Sequence, residues 1–359
     1  MIKGNKGEWS EIYTLLKLLG DGQLHPGNCN IIKIEDIFYP IIKILRTESN
    51  GNFEYSIEDE IVLISGGKEQ IRIPVQIFKE KSISLLNIIK SNTKRTFSIP
   101  EIEEFMKIIN CISLKASSDS KTDITIVIHD QKISEQTTLG FSIKSQLGSP
   151  STLFNAGLST NFIYKINNLF LSQKEISQIN SIDSRSKIKE RVKVITNKGG
   201  QFEFVNTEKQ IFSNNLVLID SLLPKILADV VFRFFSSSNN KIIDLVSNIQ
   251  KENPLNFDTT NEHLYYSYKI KRFLTDVALG MMSSKVWNGI YDAKGGYLIV
   301  KEDGEILCYH LYDRNEFEEY LINNTKLETS SSSRHKFGKI YAQNKELYFK
   351  LNLQIRFIK

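Results

Sequence analysis

The chain has little of what marks a metal-stapled or secreted protein. Three cysteines occur in 359 residues. Cys29, Cys111 and Cys308 lie far apart with no C-x-x-C spacing, which excludes a structural zinc site and a disulfide framework. Free thiols of this kind point to a reducing, cytoplasmic compartment. Histidine is scarce as well: His25, His129, His263, His310 and His335 are isolated, with no H-E-x-x-H and no metal-spaced pair. No apolar run approaches the roughly 20 residues that span a bilayer, and the charged N-terminus leads into no apolar signal segment. A membrane partner is therefore not expected. There is no P-loop, no G-x-G-x-x-G after a strand and no G-x-S-x-G turn. Gly289-Ile290-Tyr291 matches half of the GIY-YIG nuclease signature, and the second half does not follow.

What remains is an ordinary globular composition, 41% apolar and 24% charged, long enough for two or more domains or subdomains. A net charge of +5 and a pI near 8.8 suit a polyanionic partner without requiring one.

The richest stretch runs from Asp123 to Lys144. Side chains alternate between the two faces of a strand. Ile124, Ile126 and Ile128 therefore share one face of a first strand, and Leu139, Phe141 and Ile143 one face of a second. An antiparallel register pairing Asp123 with Lys144, Thr125 with Ser142, and Ile124, Ile126 and Ile128 with Ile143, Phe141 and Leu139 puts every apolar residue against an apolar partner. A one-residue slip would set isoleucines against polar groups. The polar residues 130–135 serve as the loop. Such a hairpin carries a carboxylate and an ammonium together at its open end. The acid can ligate Mg²⁺, a hard cation that prefers oxygen, and the lysine can orient water and offset charge building on a phosphate. The plain alternative is a surface salt bridge.

The chain opens with a helical pattern: Trp9, Ile12, Leu15, Leu16 and Leu19 follow helical spacing, with Gly20 and Gly22 as terminators. Glu8 and Glu11 lie one turn apart and point in similar directions. They either supply a carboxylate to a site or complement the helix dipole on a solvated face. Lys6 and the backbone N–H groups of Lys6 and Gly7 are placed to meet a phosphate.

Asp123…Ser142-Ile143-Lys144 resembles the PD-(D/E)XK nuclease core, with Ser142 in place of the middle carboxylate and Thr122 where proline is frequent. A hydroxyl is a neutral, weaker ligand, so this likeness implies a further acid from another element. Lys6, Gly7 and Glu11 form a K-G-x-x-x-E pattern similar to the first motif of the mismatch-repair nickase and Sau3AI-like restriction enzymes, where a helical glutamate joins the metal site. More specifically, N-K-G-E-W-S-E-I-Y-x-L-L-K-L-L resembles the start of the HpaII family of type II restriction endonucleases. The likeness continues in I-E-D-I-F-Y-P-I (34–41), G-F-S-I-K-S-Q-L-G-S-P-S-T-L-F-N-A-G (140–157), H-K-F-G-K-I-Y (335–341) and L-N-L-Q-I-R-F (351–357). It implies Mg²⁺-dependent hydrolysis of double-stranded DNA at a short palindrome, CCGG for the enzyme that names the family. It also implies a homodimer matched to the palindrome and a companion DNA methyltransferase of the same specificity. Asp123, Glu11, Ser142 and Lys144 fill the catalytic positions, with Glu8 as the alternative acid. Two other readings stay open: a monomeric repair-type nickase, and a DNA-binding protein whose site has decayed.

Other segments suggest contacts to nucleic acid. Gln146, Ser149, Ser151, Asn155 and Asn161 lie in the polar loop after the lysine strand, where they can meet phosphates or base edges. Lys121 precedes the aspartate strand. The segment 184–198 is basic enough to track a backbone, or to be a solvated helix face. Arg334, His335 and Lys336 follow a serine run and form a candidate DNA-contacting loop.

The expected fold class is α/β (α+β), a PD-(D/E)XK restriction-endonuclease-like core. It has a central mixed sheet flanked by helices, with helical and β-rich additions. Residues 1–200 form the core with 30–115 as an insertion, 201–285 a helical segment, and 286–359 a β-rich C-terminal segment. Within these, the patterns predict a helix over 31–46 and strands over 60–65 and 70–78. Helices are expected over 82–90 and 100–110, and an Asp303-Gly304 hairpin between strands 297–301 and 305–309.

Overall fold

Asn5 starts the first helix. Its side chain accepts from Glu8 N, and the Glu8 carboxylate accepts from Asn5 N, a closed capping box on α1 (Lys6–Asp21). Gly22, at φ 69°, ends the helix in the left-handed conformation that glycine adopts without strain. Gly20 is not a terminator but lies within the helix. A Cβ there would sit 3.1 Å from Lys79 N, so glycine lets another helix approach.

The computed structural model describes every residue except 68, 116–121, 131–134, 310–313 and 359. After α1 come β1 (Gln23–Pro26), β2 (Tyr39–Glu48), β3 (Gly51–Glu58), β4 (Ile61–Ser65), β5 (Ile71–Pro74), α2 (Val75–Ser91) and α3 (Pro100–Ile108). The hairpin β6 (Ile124–Asp130) and β7 (Glu135–Ser145) leads to β8 (Thr152–Phe154), β9 (Asn161–Asn167), α4 (Gln173–Ser181), α5 (Lys187–Asn197) and β10 (Gln201–Thr207). Four helices follow, α6 (Gln210–Ile219), α7 (Leu223–Ser236), α8 (Ile242–Glu252) and α9 (Tyr265–Leu279). The chain closes with β11 (Gly296–Val300), β12 (Ile306–Tyr309), α10 (Arg314–Asn323), β13 (Thr325–Leu327), the single turn α11 (Ser332–His335), β14 (Ile340–Gln343), β15 (Glu346–Asn352) and β16 (Ile355–Phe357).

Contacts divide the chain into two units, 1–151 with 291–320, and 152–290 with 321–358. The first is built on a mixed sheet in the order β1-β12-β11-β7-β6-β2-β3-β4-β5. β1 also pairs with β2, so six strands close into a barrel and β3–β5 extend from it. β7 and β11 run parallel, as do β1 and β12. α1 buries Trp9, Ile12, Leu15, Leu16 and Leu19 in the same core as Ile44, Ile126, Phe141 and Leu298.

Several expectations are corrected here. The 31–46 segment gives no helix: its second half is β2, hydrogen-bonded between β3 and β6, with Ile41 and Ile44 buried. An apolar run of this length does not distinguish a buried strand from a helix. The expected strand over 70–78 stops at Pro74, which becomes the N-cap residue of α2. Residues 30–115 are not set apart as an insertion, because β2 is central to the sheet. In the hairpin, Ile124 faces Phe141 and Ile126 faces Leu139, a register shifted from the one expected, and Thr125 faces Gly140 rather than Ser142. The shift preserves which face each side chain occupies, so apolar matching along the strands cannot detect it. Its turn, 131–134, lies outside the described residues.

The second unit holds an antiparallel sheet, β10-β9-β15-β14, a small sheet, β13-β16-β8, and helices α4–α9. The expected 286–359 segment does not stay together: β11 and β12 join the first unit's sheet, while β14–β16 pair with β9 and β8. Between β9 and β15 a buried amide network replaces apolar packing. Asn352 Nδ2 donates to Gly157 O (2.9 Å), Thr160 Oγ1 (3.0 Å) and Asn161 Oδ1 (2.7 Å). Removing it leaves buried acceptors unmatched, at a cost of roughly 2 kcal/mol. Asn352→Ala is expected to lower Tm by roughly 5 °C; calorimetry showing an unchanged Tm would contradict this reading of the network.

Candidate active site

The open end of the β6–β7 hairpin is organised by hydrogen bonds. Asp123 N donates to Phe141 O (2.8 Å), and the Asp123 carboxylate turns back to accept from Ile143 N at 2.7 Å. Ser142 Oγ donates to the same carboxylate oxygen at 2.9 Å, and Lys144 Nζ donates to Ser142 Oγ at 2.8 Å. Ser142, 3% exposed, is thus the link between the acid and the ammonium. β11, parallel to β7, sets Tyr297 opposite Ser142, and Lys144 Nζ lies 4.9 Å from its ring centroid. Gly140 makes room for Thr122: a Cβ there would lie 2.8 Å from Thr122 Cγ2. The threonine hydroxyl donates to Asp292 O at 3.2 Å. Burial holds the Lys144 ammonium below the usual lysine range, against the opposing pull of the Asp123 and Glu11 charges.

α1 brings Glu11 to this end of the sheet. The Ser10 and Ser145 hydroxyls are 2.8 Å apart and dock the helix on the last residue of β7. Gly4 and Phe97 exchange two backbone hydrogen bonds, and Trp9 Nε1 donates to Phe97 O at 3.0 Å, which fixes the helix start. Burial and then the nearby Asp123 charge push the Glu11 carboxyl up to about 8, while Lys115 and Arg46 pull it down. Glu8 is engaged elsewhere: it closes the capping box and pairs with Lys115 Nζ at 3.5 Å. Among the described residues no three His, Cys, Asp or Glu side chains gather to hold a metal; Glu11 and Asp123 are linked through the electrostatic effect of Asp123 on the Glu11 carboxyl. A carboxyl whose ionisation is opposed by burial and a neighbouring carboxylate is a donor that a divalent cation relieves.

Sequence comparison adds a separate line of evidence. A family model described as HpaII restriction endonuclease matches residues 5–357. The type II restriction enzyme HpaII of Haemophilus parainfluenzae is 51% identical over 358 residues, covering 99% of this chain and 98% of that protein. The chain belongs to the HpaII restriction endonuclease family. As a member, it is a type II restriction endonuclease, a site-specific deoxyribonuclease acting on double-stranded DNA. No solved structure matches the chain. Among the described residues no helix is long and apolar enough to cross a membrane.

The remaining candidate residues of this restriction enzyme fall in different places. Lys6, Glu8, Glu11, Ser149 and Ser151 line one cleft of about 910 Å³ in the first unit. Asp123 and Lys144 are not among its lining residues, although Ile143 and Ser145 between and beside them are. Gln146 is partly buried and its N–H donates to Val300 O at 2.8 Å. Lys121 lies outside the described residues. Asn155, Arg334 and Lys336 are exposed on the second unit. Asn161 is a correction: it is fully buried, its amide donates to Glu208 Oε2 and His335 O at 2.7 Å each, and its oxygen accepts from Asn352. With its hydrogen-bonding capacity used inside the fold, it has nothing to offer DNA. Sequence reasoning missed Lys94, Arg95 and Lys115, exposed cations on the same cleft, and Tyr297 beside Lys144. Short basic pairs are too common to single out, and nothing local ties Tyr297 to a strand 150 residues earlier.

Proposed function

We propose that this restriction endonuclease hydrolyses both strands of duplex DNA at a short CCGG-type palindrome. Catalysis would come from a PD-(D/E)XK-like site of the Ser-x-Lys variant, made of Glu11, Asp123, Ser142 and Lys144. The observation that carries this reading is the hydrogen-bonded chain Asp123–Ser142–Lys144, with Glu11 electrostatically coupled to its acid. Glu11 and Asp123 would hold Mg²⁺, and Glu8, committed to the helix cap, is left out. When bound, a divalent cation supplies Lewis acidity, lowering the pKa of water and offsetting charge on the phosphate. Lys144 orients the attacking water and neutralises charge that builds on the phosphoryl oxygens. Ser142 positions that lysine and keeps the Asp123 carboxylate in place. Lys6, Lys94 and Arg95 give the cleft a cationic rim for the DNA backbone. A palindromic target is met by a twofold homodimer. A cytoplasmic location beside a methyltransferase of the same specificity would protect the host genome.

The test is digestion of a sequenced supercoiled plasmid with Mg²⁺ and mapping of the ends. Discrete fragments ending at CCGG support the reading. Products that remain nicked circles, or ends scattered over unrelated sequences, contradict it.

Cation binding should also depend on pH. Binding requires Glu11 to ionise, and its carboxyl sits at about 8 without a cation. Below that value, affinity is expected to fall about tenfold per pH unit, with a proton released on binding. Above it the affinity levels off. Titration calorimetry between pH 6 and 9 checks this, and a flat profile would count against Glu11 as a ligand.

A further inference from the structure

Two basic segments far apart in the sequence meet on the second unit. Lys187 and Arg191 of α5 line one cavity of about 710 Å³ with Lys336, Lys339 and Lys350. Among the described lining residues Asp183 is the single acid. A second cavity of about 760 Å³ shares Lys187, Ser332 and Ser333 with the first and adds Arg185, Lys189 and one acid, Glu328, which is paired with Arg356 at 2.9 Å. The two therefore run together as one groove in which ammonium, guanidinium and hydroxyl groups outnumber the two carboxylates, Asp183 and Glu328.

The groove is built in advance. Arg191, 3% exposed, donates to Gly338 O, Asn180 O and Ile182 O, which ties α5 to both walls. Its Nε is buried without a hydrogen-bond partner among the described residues. Lys187 is held by Asp183 at 2.7 Å and Lys350 by Glu208 at 3.1 Å. Among the described residues neither Lys336 nor Lys339 has an ion-pair partner, and both are exposed. Lys336 also takes φ 53°, a left-handed conformation unfavourable for lysine. It is the residue that caps the C-terminus of α11, its N–H donating to Ser332 O.

We propose that this groove is a second DNA contact, one that grips the sugar–phosphate backbone of a duplex without reading bases. This rests on the reading of the chain as a duplex-cutting nuclease. Lysine ammoniums and serine hydroxyls are phosphate-binding groups, and phosphate contacts set register and orientation while carrying no sequence information. The cations extend over two connected cavities, more than one isolated phosphate needs. A nuclease that must find a four-base site gains from such a contact, because it holds the protein on DNA while it searches.

The test is fluorescence anisotropy on labelled duplexes with and without CCGG, in EDTA so that nothing is cut, from 50 to 300 mM KCl. A Lys336→Asn, Lys339→Gln double variant is used; asparagine tolerates the left-handed backbone. The slope of log affinity against log salt is expected to shrink by about 2, with the same fold-loss for both duplexes. A Lys225→Gln, Lys251→Gln variant removes the same charge elsewhere on this unit and should leave the slope near that of the parent. Asp183→Asn, which frees Lys187, should tighten binding, a gain that a damaged fold cannot produce. An unchanged slope in the groove variant, a loss confined to the CCGG duplex, or an equal loss in the control overturns the proposal. Cleavage is assayed separately with Mg²⁺, so a failure of the catalytic reading is seen independently.

Discussion

Lys144→Met is expected to bind its DNA and not cut it. Single-turnover cleavage should fall by at least about 10³-fold, the scale of losing a charge that acts on the transition state. Specific binding in Ca²⁺ or EDTA should change little. The physical basis is the position of the ammonium. It is held by Ser142 Oγ, lies over the Tyr297 ring, and is kept below the ordinary lysine range mainly by burial. A charge kept at this cost to the fold contributes little to stability, so methionine should leave Tm level or raise it. Cleavage within tenfold of the parent would remove Lys144 from the mechanism.

Glu11→Gln is expected to separate stability from activity in the same direction. The ordinary glutamate value is 4.5, and in the folded chain the Glu11 carboxyl stands at about 8. Below pH 4.5 both states hold the proton and no penalty exists. Between 4.5 and 8 the unfolded chain releases it while the folded chain retains it, so stability is lost as pH rises, and the loss levels off above 8. Glutamine carries no such penalty. At pH 8.5 without divalent cations the variant should therefore melt several degrees above the parent. Added Mg²⁺ should raise the parent's Tm and leave the variant's unchanged. Cleavage by the variant should drop by about 10²-fold or more. A variant that melts lower at pH 8.5, or cuts normally, would argue that Glu11 is a structural acid.

The sequence made some of this site legible and hid the rest for physical reasons. The α1 periodicity and its Gly22 stop were readable because both are local. The faces of β6 and β7 were readable from alternation, but their register was not, since both registers bury the same isoleucines. The role of Glu8 in the capping box was within reach of the sequence, since Asn5 stands three residues before it, but the burial that raises the Glu11 carboxyl was not. The second half of the helix expected over 31–46 is β2 instead, because a strand at the middle of a sheet looks like any apolar run. The closure of the barrel by β1, and the parallel strand that brings Tyr297 to Lys144, depend on pairings between distant segments with no local signature. Asn161 looked like a free polar loop residue, and only the fold reveals that β15 supplies its partner.

The central claim is that Glu11 and Asp123 share one divalent cation beside Lys144. Crystals of the DNA complex grown with Mn²⁺ and measured at the manganese absorption edge test it directly. The account predicts an anomalous peak within bonding distance of a carboxylate oxygen from each of the two residues. A peak bound by other side chains, or none in this region while DNA occupies the cleft, would contradict it.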